Sequence, residues 1–180
     1  APIDILINNV GGRRINTPTE ELELEDWQRI IDLNLTQAFI LTKRLGGAMI
    51  PRKWGRIINT ASAHALIASP FKSAYVAAKH ALLGLSRVLA KEGAEHNVRS
   101  QVICPGFVRT PLVDKQIPEQ ARELGISEEQ VVRNVMLDRT VDGVFTTIDD
   151  VAQTALFLAA FPSAALTGQS FIVSHGWHMQ

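Results

Sequence analysis

The sequence predicts an open α/β domain, a doubly wound parallel sheet with helices on both faces. Three observations lead there. Short apolar runs recur at 4–9, 55–60, 98–104 and 169–173, bounded by Gly, Pro or Asn. That is the pattern of strands buried on both faces. The segments between carry apolar residues every three or four positions, as amphipathic helices do. Strands alternating with helices give parallel sheets joined by right-handed crossovers.

The chain opens on Ile3-Asp4-Ile5-Leu6-Ile7, a strand with no lead-in, which predicts that an N-terminal part of the domain is missing. Asn8-Asn9-Val10-Gly11-Gly12 ends that strand. Thr17-Pro18-Thr19-Glu20 gives a helix start signal. Trp27, Ile30, Ile31, Asn34, Ala38, Leu41 and Leu45 then share one helical stripe. Asn34 is the anomaly in it, because a buried amide is costly unless it is hydrogen-bonded. It points to a polar cluster inside the core. Gly46-Gly47 and Pro51 close the helix, and residues 55–60 form the second strand. A loop covers 62–70, a helix runs from Tyr75 to about 93–97, and the third strand ends at Pro105-Gly106. The segment 107–147 reads as a lid or substrate loop with helical stretches at 118–124 and 127–137. A helix over 149–160 and a strand over 169–173 complete one domain without repeats or linker.

The chain has 180 residues, 46% hydrophobic and 20% charged, enough for a sizeable core and against disorder. Its 18 basic and 18 acidic residues cancel, so no basic surplus suggests nucleic acid. No apolar run approaches the ~18 residues of a membrane span. Cys104 is the only cysteine, which excludes an internal disulfide and suits a cytoplasmic location. His175 and His178, with no carboxylate beside them in sequence, are poor metal ligands, and no metal site is expected.

In a sheet of this kind ligands bind beyond the carboxyl ends of the strands. Asn8-Asn9, Ser62 and Pro105-Gly106 fall at three such ends. Tyr75 and Lys79 are four apart on the following helix and therefore share a face. An ammonium held within about 4–6 Å of a phenol favours its ionised form, which makes this pair a candidate acid–base device. Ser62, thirteen residues earlier, can hold a substrate oxygen beside it. Tyr75 and Lys79 alone would ordinarily be a helix-surface pair. The polar clusters at the same rim turn the reading toward catalysis.

Asn8-Asn9-Val10-Gly11, Asn34, Ser62, Tyr75-Val-Ala-Ala-Lys79 and Pro105-Gly106 resemble, in this order, the motifs of the short-chain dehydrogenase/reductase family. The resemblance implies a Rossmann-type sheet and an oxidoreductase. Asn34, Ser62, Tyr75 and Lys79 would be its catalytic tetrad, with Asn34 holding a water that links Lys79 to solvent. Asn8 and Gly11 would line the adenosine side, Tyr75 and Lys79 would meet the nicotinamide ribose, and Pro105, Gly106 and Thr110 would edge the nicotinamide. It also implies a homotetramer packed through the helices around 27–45 and 75–94. No two glycines here are separated by one residue, so the family's dinucleotide-binding turn G-x-G-x-x-G is absent. The chain is therefore read as the C-terminal part of such a domain.

Within the family, Ser62-Ala63-His64, Lys72 to His80, Thr110 to Pro118 and Gly125 to Val131 resemble the bacterial 3-hydroxybutyrate dehydrogenases. That implies NAD as cofactor, a short 3-hydroxy acid as substrate, and His64, Lys72 and Gln116 around its carboxylate. Arg13 stands where that group has Gln, and Phe107 where it often has Trp. Arg13 keeps the donors and adds charge, and Trp177 is expected to close the pocket. The alternatives are an NADPH-dependent 3-oxoacyl thioester reductase, which needs no cationic pocket, or a non-catalytic truncated product. On bland readings His64 and Lys72 are solvated charges, Gln116 faces water, Cys104 and Trp177 are packing residues, and Gly46-Gly47 is a helix end.

Overall fold

A computed structural model describes residues 2–12 and 15–179. Four strands, β1 (Ile5–Asn8), β2 (Gly55–Thr60), β3 (Val98–Pro105) and β4 (Ser170–Val173), pair in sequence order. All three pairings are parallel, with Ile7 opposite Ile58, Ile58 opposite Gln101, and Val102 opposite Ser170. β2 and β3 are buried along almost their whole length because helices cover both faces. On one face Ala38, Leu82, Leu83, Val102 and Cys104 form a buried cluster. On the other, Ile58 and Ile103 pack against Leu158. β1 differs: Leu6 is buried, but Ile5 and Ile7 are 44% and 48% exposed on the opposite face.

The helices are α1 (Leu24–Ile31), α2 (Gln37–Leu41), α3 (Ser73–Glu92), α4 (Pro111–Leu124), α5 (Glu128–Val131) and α6 (Ile148–Ala160). Wide π-helical turns follow α1 at Asp32–Thr36, α2 at Thr42–Gly46 and α5 at Val132–Met136. Such turns often lie at functional sites, and the first carries Asn34. The helix start signal at 17–20 gives only a short 3-10 turn, Thr19–Glu21. Leu22 is extended there, so α1 begins at Leu24 after Glu23.

The lid departs further from the expectation. Pro118, read as a helix start, lies inside α4, which begins seven residues earlier with Pro111 in its first turn. Thr110 caps that start by accepting the Val113 N–H at 3.4 Å. Pro111 loses nothing there, because a first-turn N–H has no helical partner. Under the lid, Val113, Ile117, Val131, Met136 and Leu137 form their own buried cluster. It holds α4 and α5 over the carboxyl ends of the strands. α6 opens on a capping box between Thr147 and Asp150.

Candidate active site

Strand β2 ends at Thr60, and the chain then passes through Ser62 into a short 3-10 turn, Ala63–Ala65. Ser62 is extended, and its Oγ accepts the His64 N–H at 3.2 Å. The same Oγ lies 3.4 Å from His64 Nδ1, while His64 Nε2 is 2.8 Å from Ser69 Oγ. His64 is therefore a buried ring pinned on both edges rather than a solvated loop residue. Its ring meets Tyr75 edge-on, with centroids 5.9 Å apart.

Tyr75 and Lys79 lie in the first two turns of α3, and both are about 95% buried. Tyr75 packs with Ala74 and with Ile30 of α1, which fixes the ring. Lys79 Nζ donates to Thr60 O at 3.1 Å and sits 5.6 Å from the centroid of the tyrosine ring.

Asn34 answers the anomaly in the helical stripe. Its Nδ2 donates to Gly12 O at 3.0 Å and to Ile30 O at 2.9 Å, and its Oδ1 accepts the Gly12 N–H at 3.0 Å. Gly12 is held at φ +139°, a conformation that other residues rarely adopt. The turn after β1 is thereby tied to the π-helical turn of the neighbouring helix. A Cβ on Gly11 would fall 2.9 Å from Asn34 Oδ1 and 3.0 Å from Lys79 Nζ. Gly11, Asn34 and Lys79 thus converge on one point, although they are scattered over 69 residues of sequence.

Two cavities open there. One, of about 430 Å³, is lined by Asn9, Gly11, Thr60, Tyr75, Lys79 and Gln116. The other, of about 600 Å³, is lined by His64, Lys72, Phe107, Gln116, Arg139 and Trp177. Gln116 of α4 borders both. Lys72 stands just ahead of α3, after Phe71, which takes a left-handed φ of 65°. Trp177 meets His64 and Phe107 at 6.0 and 6.1 Å, and its Nε1 is buried without a partner among the described residues.

Asn8 turns into the core, where its Nδ2 donates to Asn59 Oδ1 at 2.8 Å and Thr42 Oγ1 at 3.2 Å. It is Asn9, one residue on, that lines the smaller cavity. Pro105 is buried at the end of β3, and the Gly106 N–H donates to Val173 O at 2.9 Å. Thr110 is the cap of α4, and Arg13 lies outside the described residues. Burial pushes the Cys104 thiol up to about 11, against the opposing pull of the Ser62 backbone and the Lys79 ammonium. His175 does meet carboxylates after all, Asp142 at 2.7 Å and Asp150 at 3.9 Å, both from distant sequence. Among the described residues no group of side chains has the makings of a metal site, and no helix is long and apolar enough to cross a membrane.

Comparison with known proteins decides the family. A model described as enoyl-(acyl carrier protein) reductase, of the short-chain dehydrogenase type, matches residues 1–178. The chain belongs to the short-chain dehydrogenase/reductase family. It is an oxidoreductase of that family. Among its relatives, a D-beta-hydroxybutyrate dehydrogenase of Rhizobium meliloti is 49% identical over 180 residues, 98% of this chain and 68% of that protein. Two solved short-chain dehydrogenase structures share the fold. Sorbitol-6-phosphate 2-dehydrogenase SrlD from Erwinia amylovora superposes with a TM-score of 0.92 at 28% identity, over 98% of this chain and 69% of that one. A 4-hydroxyisoleucine dehydrogenase complexed with NADH gives 0.77 at 30% identity, over 97% and 68%.

Proposed function

We propose that this chain carries the acid–base half of an NAD-dependent dehydrogenase that interconverts a short 3-hydroxy acid, 3-hydroxybutyrate in particular, with its 3-oxo acid. The observation that carries this reading is the junction of the two cavities. A pocket bearing the His64 and Lys72 side chains adjoins, across Gln116, a cavity walled by Tyr75 and Lys79. A small carboxylate needs a cation and directed donors, and the first pocket offers both. The 49% identity to a D-beta-hydroxybutyrate dehydrogenase supports the same substrate.

The smaller cavity fits the nicotinamide–ribose end of the cofactor. Gly11 leaves room where a side chain would collide with Asn34 and Lys79. Tyr75 and Lys79 would hold the ribose, and the turn around Gly11 would receive the adjoining part. Pro105, Gly106 and Thr110, at the end of β3 and the start of α4, would edge the ring. The cofactor, when bound, supplies a hydride acceptor. The chain's own residues do the rest. Ser62 and Tyr75 hold the substrate hydroxyl, and Tyr75 takes its proton as the carbon–hydrogen bond breaks. Lys79 would steady the phenolate oxygen that receives this proton, and Asn34 fixes the Gly11–Gly12 turn against it. His64, Lys72, Gln116 and Arg13 would grip the carboxylate, and Trp177 would close the far wall.

The other half of a dinucleotide needs a glycine turn that these residues do not supply. β1 is an edge strand, where further parallel strands would continue the sheet as one short-chain dehydrogenase domain, and the half-exposed Ile5 and Ile7 on one of its faces would be covered by the connecting helices. The reading also includes a homotetramer in the cytoplasm, which suits the single reduced cysteine. Phe39 and Val88, 49% and 51% exposed, border one groove between the helices, apolar surface that a second copy would cover. Analytical ultracentrifugation at micromolar concentration should give a tetramer mass, and a monomer would remove this part.

The substrate assignment is tested by NAD reduction with 3-hydroxybutyrate and with its neutral methyl ester. The acid should turn over and the ester should not. Lys72→Ala should raise KM for the acid by about tenfold or more, the worth of one charge-assisted hydrogen bond, with kcat nearly unchanged. Equal use of acid and ester, or NADPH-linked turnover of a 3-oxoacyl thioester alone, would favour a thioester reductase instead.

A further inference from the structure

We infer that His175 is a positioning residue that clasps the C-terminal turn to the lid loop and so sets Trp177 as a wall of the larger pocket. His175 has φ +51°, a left-handed conformation that suits glycine and disfavours a ring-bearing side chain. Something must hold it there. Its backbone carbonyl accepts the Val141 N–H at 2.9 Å, and its Nδ1 lies 2.7 Å from Asp142 Oδ2. Both contacts reach the same loop, more than 30 residues earlier in the chain.

That loop is itself braced. Asp142 Oδ1 accepts the Val144 N–H at 3.1 Å, and Thr140 Oγ1 accepts the Gly143 N–H at 3.1 Å. On the far side of the imidazole, Asp150 stands 3.9 Å from Nε2, its own carboxylate fixed by Thr147 in the cap of α6. The pair holds the Asp142 carboxyl below its usual 3.8, chiefly through the hydrogen bond from His175. The clasp is therefore made at neutral pH and is lost as acid protonates Asp142.

Two residues past His175 comes Trp177. Its N–H closes a turn onto Ser174 O at 2.9 Å, and its ring packs against His64 and Phe107. Arg139, from the same loop as Asp142, lies over the indole at 5.8 Å. The loop thus holds the turn at His175 and covers the indole at Arg139. Between them Gly176 has φ +73°, a conformation that suits glycine, and a Cβ there would fall 2.6 Å from Val141 Cγ1, so Val141 would have to shift. The indole is placed by the clasp rather than by its own hydrogen bond, because Nε1 has no partner among the described residues.

The clasp rests on the reading of this pocket as the substrate pocket only for its kinetic consequence. The test separates the two. Two substitutions compatible with φ +51° are His175→Asn, which keeps a donor toward Asp142, and His175→Gly, which removes it. With 5-fluorotryptophan incorporated, Trp177→Phe identifies the Trp177 resonance by fluorine NMR. The wild-type chain and H175N should give one narrow line at the same position, and H175G a shifted or broadened one. In turnover with 3-hydroxybutyrate, H175G should raise KM by about fivefold with kcat within about twofold, and H175N should restore it. A Trp177 resonance unmoved in H175G, or H175N and H175G behaving alike, would overturn the clasp. If H175G moves the resonance while 3-hydroxybutyrate shifts nothing in the wild-type chain, the clasp stands and the substrate assignment falls.

Discussion

Tyr75→Phe should lower kcat for hydroxy-acid oxidation by about a thousandfold, within the range a positioned acid–base group contributes. The substitution removes one oxygen and keeps the ring. That ring packs against Ala74 and Ile30 and meets His64 edge-on, so the site's shape is kept. Stability should change by about 1 kcal/mol or less, the net worth of one hydrogen bond. Steady-state kinetics beside a thermal melt separates the two effects. A large loss of kcat with an unchanged melt assigns the proton transfer to the phenol. More than a tenth of wild-type kcat in Y75F would mean that another group takes the proton. His64, 3.4 Å from Ser62 Oγ, is the first to suspect.

Why Tyr75 and Lys79 were legible in the sequence, and other parts of the site were not, follows from where the information lies. Positions four apart on a helix share a face whatever the tertiary structure does, so the pair could be placed from spacing alone. The strands were legible for a similar reason. A strand covered on both faces has no polar side, and runs such as Ile57-Ile58 and Val102-Ile103 show this directly. Asn34 was visible only as an exception to its stripe. Its partners, Gly12 and Ile30, depend on a π-helical turn that no propensity announces.

Elsewhere local signals misled because context outweighed them. Pro118 reads as a helix start, yet it sits inside α4, which is held by the apolar cluster beneath it rather than by its backbone ladder alone. Asn8 and Asn9 look equivalent, but strand alternation sends the first into the core and the second to the cavity. The contact of His175 with Asp142 spans 33 residues and leaves no trace in either local sequence. Only a histidine where the backbone favours glycine hinted at it, and that hint exists only once φ is known.

Asn34→Asp should be the most damaging conservative change in the chain. The two side chains have the same shape, so no cavity is made. What changes is the sign of one contact. Asn34 Nδ2 donates to two carbonyls, Gly12 O at 3.0 Å and Ile30 O at 2.9 Å, at a site only 1% exposed. The introduced carboxylate loses both bonds and sets a charged oxygen against two carbonyl oxygens. It keeps only the contact from the Gly12 N–H. Leaving a buried charge without compensation costs about 3–5 kcal/mol. Lys79 Nζ is close, since both groups border the space at Gly11, and its charge offsets part of that cost. The offset comes at the wrong place for catalysis, because the ammonium is drawn from Thr60 O and Tyr75 toward the new carboxylate. N34D should therefore lose stability at pH 7 in a denaturant titration and lose turnover beyond what unfolding explains. Burial favours the neutral form of the introduced acid, so its folded-state pKa lies above the ordinary carboxylate value. The destabilisation is full above that folded pKa and eases as pH falls through it, with part of the lost stability returning in mild acid. Equal stability of N34D and the wild-type chain at pH 7 would show that the Gly11–Gly12 turn does not depend on this amide, and the positioning role of Asn34 would be withdrawn.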